Sequence, residues 1–358
     1  MQPFVDVWGW FIGHRVQAQR EHNPDLLRLV DMFQEMFESL EPDPNHSLAL
    51  CNEAIGLARQ LKMPCMELYY QNWRCETYLF YLRQLRAGLR EATTLALETR
   101  KPEYERCPVV ARVYRNLMNA YHFLDSYGYA DEIAAVLDFL ENDFPIDKDT
   151  WKAIAWERAW LAAANEDFEQ AFDLTEVYRA RCGDDQFYLI HAYTLLCWLS
   201  YKLKRFELIE DFAEMGEACA RSQNRHESLA NLLGWKAFAL YRAGRKAEAR
   251  RTAGEAVRQH QNVPTLRVHE APLMYYYEVS GDLEKALRVH RGVLDFELEA
   301  GSADGETQAR LEICKTMAKM NLPLAEELAL ARKSAEKLRR PDRVLDKLDR
   351  LERGEILD

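Results

Sequence analysis

Nine histidines and eight cysteines are the residues of this chain whose chemistry could be metal ligation or nucleophilic catalysis. Neither set has the spacing for it. Cys51, Cys65, Cys75, Cys107, Cys182, Cys197, Cys219 and Cys314 contain no C-x-x-C pair, and most fall inside apolar helical patterns. They read as reduced, buried thiols of a cytosolic protein. His14 and His22 lie eight apart, which could place them on one helix face, but no carboxylate or cysteine completes a tetrahedral set. The chain has no G-x-x-x-x-G-K-[ST] phosphate loop, no G-x-G-x-x-G after a strand, no H-E-x-x-H and no G-x-S-x-G. Gly301-Ser302-Ala303-Asp304-Gly305 reads as a connector carrying an N-cap for the next helix. No enzyme activity, metal or cofactor is expected.

The charged residues exclude a second class. Arg242, Arg245, Lys246, Arg250, Arg251 and Arg258 make one basic patch, and Arg339, Arg340, Arg343, Lys347, Arg350 and Arg353 make another, interleaved with Asp342, Asp346, Asp349 and Glu352. Nucleic-acid surfaces show an unneutralised stripe with stacking aromatics, so both patches read as solvated helix faces and no nucleic acid is expected. The net charge of -11 is uneven: residues 1–221 carry 23 Lys and Arg against 36 Asp and Glu, the rest 24 against 22. An acidic N-terminal half suits a basic peptide or protein. Residues 1–13 lack a basic n-region and a cleavage site, and no apolar run nears the roughly 20 residues that span a bilayer. The expected location is the cytoplasm, away from membranes.

What the chain does have is repeated punctuation. In the stretch from Tyr277 to His290, Gly281 can take a positive φ at a helix end, Asp282 can accept from the amides of the next helix, and Ala286 is small enough for close helix approach. With Ala286 as register mark, equivalent marks fall at Ala54, Ala92, Glu132, Ala171, Ile209, Ala249 and Ala325. The step of about 38 residues lies in the range that signals a solenoid of helix pairs. Few glycines and prolines, and no alternating β-branched runs, make the protein all-helical.

This punctuation resembles the turn of the tetratricopeptide repeat, in which Gly-Asp, an aromatic or aliphatic residue and a small Ala join helix A to helix B. The resemblance implies an all-α, right-handed superhelical solenoid of about eight antiparallel helix pairs. Residues 1–24 would be an N-terminal lead-in or cap, 25–340 the array and 341–358 a capping helix. Eleven residues before each interior mark stands an aromatic ring: Tyr81, Tyr121, Trp160, Trp198, Phe238 and Tyr275. In proteins this chain resembles, that A-helix position faces the concave groove, with Arg74, His191 and Asn231 one or two turns earlier on the same face. The rings either fill space between successive A helices or grip a peptide. The position before each ring is small in Ala120, Ala159, Cys197 and Ala237; Phe80 and Met274 depart from it. Arg112, Arg115, Asn116 and Asn119 do not have the register of the family's carboxylate clamps. The resemblance implies a non-enzymatic protein or peptide scaffold, or a regulator that senses a signalling peptide and acts through a separate output partner. Its partner would be basic with apolar anchors.

Overall fold

Pro24, Pro44 and Pro64 each open a helix here. Proline's fixed φ and missing N–H suit the first helical position, where the amide has no partner in any case. Asn23 accepts from the Leu26 amide at 3.0 Å and Asp43 from the His46 amide at 3.0 Å, so the first two of these starts also carry side-chain caps. The computed structural model describes residues 6–40, 42–104, 107–142, 146–263 and 271–355. Of the polar linker expected at 143–150, residues 143–145 lie outside them and residues 148–150 already belong to a helix; the helix start expected at 268–270 also lies outside them.

Among the described residues every regular element is helical. A first helix, α1 (Val7–Glu21), precedes eight pairs. These are α2 (Pro24–Ser39) with α3 (Pro44–Gln60), α4 (Pro64–Glu76) with α5 (Leu85–Glu98), α6 (Val110–Asp125) with α7 (Ala130–Asn142), and α8 (Lys148–Ala164) with α9 (Phe168–Cys182). There follow α10 (Gln186–Lys202) with α11 (Glu207–Ser222), α12 (His226–Arg242) with α13 (Lys246–His260), α14 (Ala271–Ser280) with α15 (Leu283–Ala300), and α16 (Ala303–Lys319) with α17 (Ala325–Ala335). The last helix is α18 (Asp342–Glu352). The chain forms two units, one of residues 1–124 and 131–157 and the other of residues 125–130 and 158–358.

The register marks locate the B helices. Ala54, Ala92, Ala171, Ile209, Ala249 and Ala286 are fully buried, as close helix approach requires. Gly281 has φ +82°, and Asp282 accepts from the Lys285 amide at 3.4 Å. Two marks miss. In α7 the buried residue is Ile133 and not Glu132, and in α17 it is Leu328 and not Ala325. Phe80, bulky where most repeats are small, falls in a π-helical turn, Thr77–Tyr81, that continues α4. There Leu79 lies against α5 so closely that a Cβ on Gly88 would stand 2.3 Å from it, so only glycine fits.

In the first unit α1 packs on α2. Phe11 stacks on Tyr69 at 4.7 Å and, with Trp8, meets Phe33, while Ile12 and Val16 are exposed. His22 lies beyond the end of α1 in the left-handed region, so it does not share a face with His14. Six cysteines are free and buried, but Cys65 and Cys107 are joined. This corrects the expectation of reduced thiols throughout. The two residues are 42 apart in sequence, where α4 begins and just before α6, and their Cα atoms lie 5.2 Å apart. Stacked repeats bring the starts of successive A helices together, whereas the C-x-x-C test sees only near neighbours.

In the second unit the two ends meet. The Arg339 amide donates to Asp125 at 2.7 Å, the Arg343 guanidinium lies 3.8 Å from the Tyr127 ring and donates to the Ala164 carbonyl at 3.1 Å, and Lys347 pairs with Glu166 at 2.6 Å. The C-terminal basic patch is therefore only partly a solvated face. The opposite side of α18 buries Val344, Leu348 and Leu351 against Leu311, Leu328 and Leu338.

Glu278 ties three helices of this unit, accepting from Lys319 at 2.8 Å and meeting His290 at 3.4 Å. Burial alone would raise its pKa, but hydrogen bonds from His290 and Lys319 hold it down at about 2. A depressed carboxylate stabilises the fold above its ordinary value of 4.5, and that contribution is lost as pH falls towards about 2. Glu278→Gln is expected to lower stability by about 3 kcal/mol at pH 7 and by progressively less below pH ~4.5, read from urea unfolding across that range. A deficit that stays constant down to pH ~2 would contradict the ion-pair assignment.

Candidate functional site

The second unit gathers its rings where α8, α9, α10, α12 and α14 come together. Trp160 near the end of α8 stacks on Trp198 near the end of α10, with centroids 5.7 Å apart and planes inclined by 29°. Phe168, the first residue of α9, meets Trp198 edge-on at 5.8 Å. Four residues after Trp198, on the same helix face, the Lys202 ammonium lies 5.6 Å from the Trp198 ring and 5.9 Å from the Phe168 ring.

Lys202 is half-buried and makes no ion pair among the described residues. The neighbouring carboxylates are already engaged, Glu166 with Lys347 and Glu312 with Lys315 at 3.0 Å. Burial pulls the Lys202 pKa down; Lys315 and Lys347 add to this, and Glu312 and Glu166 oppose it. A cation held between rings without a counter-ion is suited to receive an anionic group.

The rings continue towards α14. Tyr275 lies 4.3 Å from Tyr201 and stacks on Trp235 at 4.7 Å, and burial holds its hydroxyl protonated while the Trp198 side chain hydrogen-bonds to it. Phe238 is only 3 % exposed, packed against Tyr201, Phe206 and Trp235. Three ladder positions, Trp160, Trp198 and Tyr275, are thus half-buried in one cluster, while Phe238 is buried among Tyr201, Phe206 and Trp235. His191 sits edge-on to Phe187 at 5.2 Å, and burial together with nearby Arg225 lowers its pKa to about 4, so it is neutral. The side-chain oxygen of Asn231 is buried with no hydrogen-bond partner among the described residues.

In the first unit, Tyr81 and Tyr121 are half-buried, on the π-helical turn and on α6. Arg74 is committed to packing: it donates to Glu91 at 2.5 Å and to Asn52 at 2.8 Å, linking α4 to α5 and α3. The sequence reading did not include Phe168, Tyr201, Lys202 and Trp235. The signal was local for two of them, since Tyr201 and Lys202 follow Trp198 by three and four positions and so share its face.

A solved Rap protein complexed with competence and sporulation factor is 11% identical to this chain, with a TM-score of 0.57 over 80% of each chain. The fold is a tetratricopeptide-like helical repeat. NprR in complex with its cognate peptide NprX is 15% identical, with a TM-score of 0.45 over 75% of this chain and 82% of that one. No protein-family profile matches the chain, and no curated protein is detectably similar to it in sequence. In a repeat of this kind the chemistry belongs to the surface that each pair presents and not to the fold. No described group of three or more His, Cys, Asp or Glu side chains gathers as metal ligands would, and no described helix is long and apolar enough to cross a membrane.

Proposed function

We propose that this protein is a non-enzymatic, cytoplasmic peptide-binding scaffold whose second unit grips a basic segment bearing apolar anchors. The observation that carries this reading is the Trp160–Trp198–Tyr275 cluster, partly exposed around an ammonium without a counter-ion. Indole and phenol faces give large contact area at low entropic cost, and Lys202 receives one acidic group of the ligand. The exposed Asp131, Asp138 and Glu141 of α7, within the acidic half of the sequence, steer basic segments towards the protein. That the fold relative Rap was solved with a bound factor supports this choice of ligand class.

A second form of the reading makes the protein a sensor of a signalling peptide. The junction of α18 with residues 125–130 and 164–166 favours it, because a ligand beside Lys202 would bear on the Glu166–Lys347 pair that holds the two ends together.

The test is selection from a random peptide display library with the whole chain as bait. Enrichment of basic peptides with aromatic or aliphatic anchors is expected. Trp160→Ala should then weaken the selected peptide by about 2 kcal/mol or more, with helicity unchanged by circular dichroism. No enriched peptide, or a Trp160→Ala chain that unfolds together with a Trp198→Phe chain that binds as tightly as wild type, would make the cluster core and remove the reading.

A further inference from the structure

A cavity of about 460 Å³ opens in the second unit between α13, α14 and the start of α15, and no ladder residue lines it. Its volume is in the range of small-molecule sites. Tyr241, Tyr276 and Tyr277 form ring walls, and Lys246, Arg250 and Lys285 supply cations. The carboxylate in the lining, Asp282, is already spent: it pairs with Lys285 at 2.6 Å and caps α15 through the Lys285 amide. Lys246 lies 5.4 Å from the Tyr241 ring and Lys285 5.5 Å from the Tyr277 ring. Neither Lys246 nor Arg250 has an ion-pair partner among the described residues, so two positive charges remain uncompensated at the mouth.

Gly254 lines the same cavity. It stands in the interior of α13, where glycine weakens a helix, and among the described residues nothing fills the space it leaves. A Cβ there would meet only the Arg258 guanidinium, at an ordinary 3.7 Å. The bare backbone therefore keeps the wall of the cavity open. The patch containing Lys246 and Arg250 also divides by partner: Arg245 is paired with Glu210 and Glu248, and Arg242 covers the Phe206 ring.

We infer that this cavity binds a small phosphate monoester carrying a planar ring, of the nucleoside monophosphate class, independently of any peptide at the ladder. Two uncompensated cations match a phosphate dianion better than a single carboxylate. The planar Arg250 fork and the compact Lys246 ammonium are complementary ways of holding it. The tyrosine faces take the ring, and the absent side chain of Gly254 leaves room for the sugar.

Isothermal titration of the full chain with AMP, GMP, CMP and UMP tests the assignment, with inorganic phosphate and adenosine as probes of the two halves. At least one nucleotide should bind at 1:1 stoichiometry with Kd of about 10 μM or tighter, and each half alone at least about ten-fold more weakly. Gly254→Leu fills the cavity while favouring the helix, so it should abolish binding in a chain whose circular dichroism is unchanged. Arg250→Gln should weaken binding about ten-fold and flatten its salt dependence. Absence of binding for all four nucleotides at about 1 mM overturns the inference, as does binding that is indifferent to Gly254→Leu. Equal affinity for inorganic phosphate and the best nucleotide overturns the ligand class.

Discussion

Arg112→Met is expected to destabilise the unit of residues 1–124 and 131–157 by about 3–5 kcal/mol. The Arg112 and Asp147 side chains are only 4% and 5% exposed, and the guanidinium meets both carboxylate oxygens at 3.3 Å. The same carboxylate organises the start of α8, accepting from the amides of Asp149 and Thr150 and from the Thr150 hydroxyl at 2.8 Å. Burial alone would raise the Asp147 pKa; Arg112, with Arg115 nearby and hydrogen bonds from Arg112 and Thr150, holds it below its ordinary 3.8.

Methionine would keep the packing length beside Trp8 while leaving the buried anion without the guanidinium that pairs with it. Most of the loss is that uncompensated charge and not a missing attraction, so Arg112→Met combined with Asp147→Asn should recover part of it. The sign in pH follows from the depressed carboxylate. The wild-type contribution is present above about pH 4 and fades as Asp147 protonates. Urea unfolding of the two single variants and the double variant at pH 7 measures this, and a double variant less stable than both singles would refute the pairing.

The second large effect is expected from the Cys65–Cys107 bond. Closing a loop of this length removes about 4 kcal/mol of denatured-state entropy in the chain-closure account, so reduction, or Cys107→Ser, should lower the stability of the first unit by up to that amount. Denatured but unreduced protein should show six titratable thiols, and eight after reduction. A count of eight without reductant would mean that the pair does not join in solution. The count also bears on location, since structural disulfides are rare in the reducing cytoplasm proposed here.

The repeat was legible because its signal is local. Gly281, Asp282 and Ala286 act within one turn of each other, and the same punctuation recurs at a steady step down the chain, so eight helix pairs can be counted without knowing what they touch. Boundaries were less legible. A proline such as Pro44 or Pro64 can stop one helix or start the next, and here both are starts, because a proline at the first turn needs no donor. Glu132 was assigned a buried mark that belongs to Ile133, because nothing local distinguishes two registers one residue apart.

The candidate site was legible by half. Periodicity placed Trp160, Trp198 and Tyr275 on one recurring position, and it placed Phe238 there as well, although Phe238 packs inward beneath Tyr201 and Trp235. Whether a ring lies under its neighbours or on top of them depends on how successive A helices stack, and a one-dimensional register carries no such information.

The sequence by itself determined the helix content, the pair count and the recurring aromatic position, all of which follow from backbone propensity, capping and spacing within about 40 residues. Only the tertiary structure decided the rest. It joined Cys65 to Cys107 one repeat apart, set Arg112 against Asp147, and carried Arg343 and Lys347 back to Ala164 and Glu166 across 179 and 181 residues. That last return is what surrounds Lys202 with charges already spent on one another. Such contacts arise because many small repeat-to-repeat rotations add up, and their sum is a property of the packed array that no single repeat encodes.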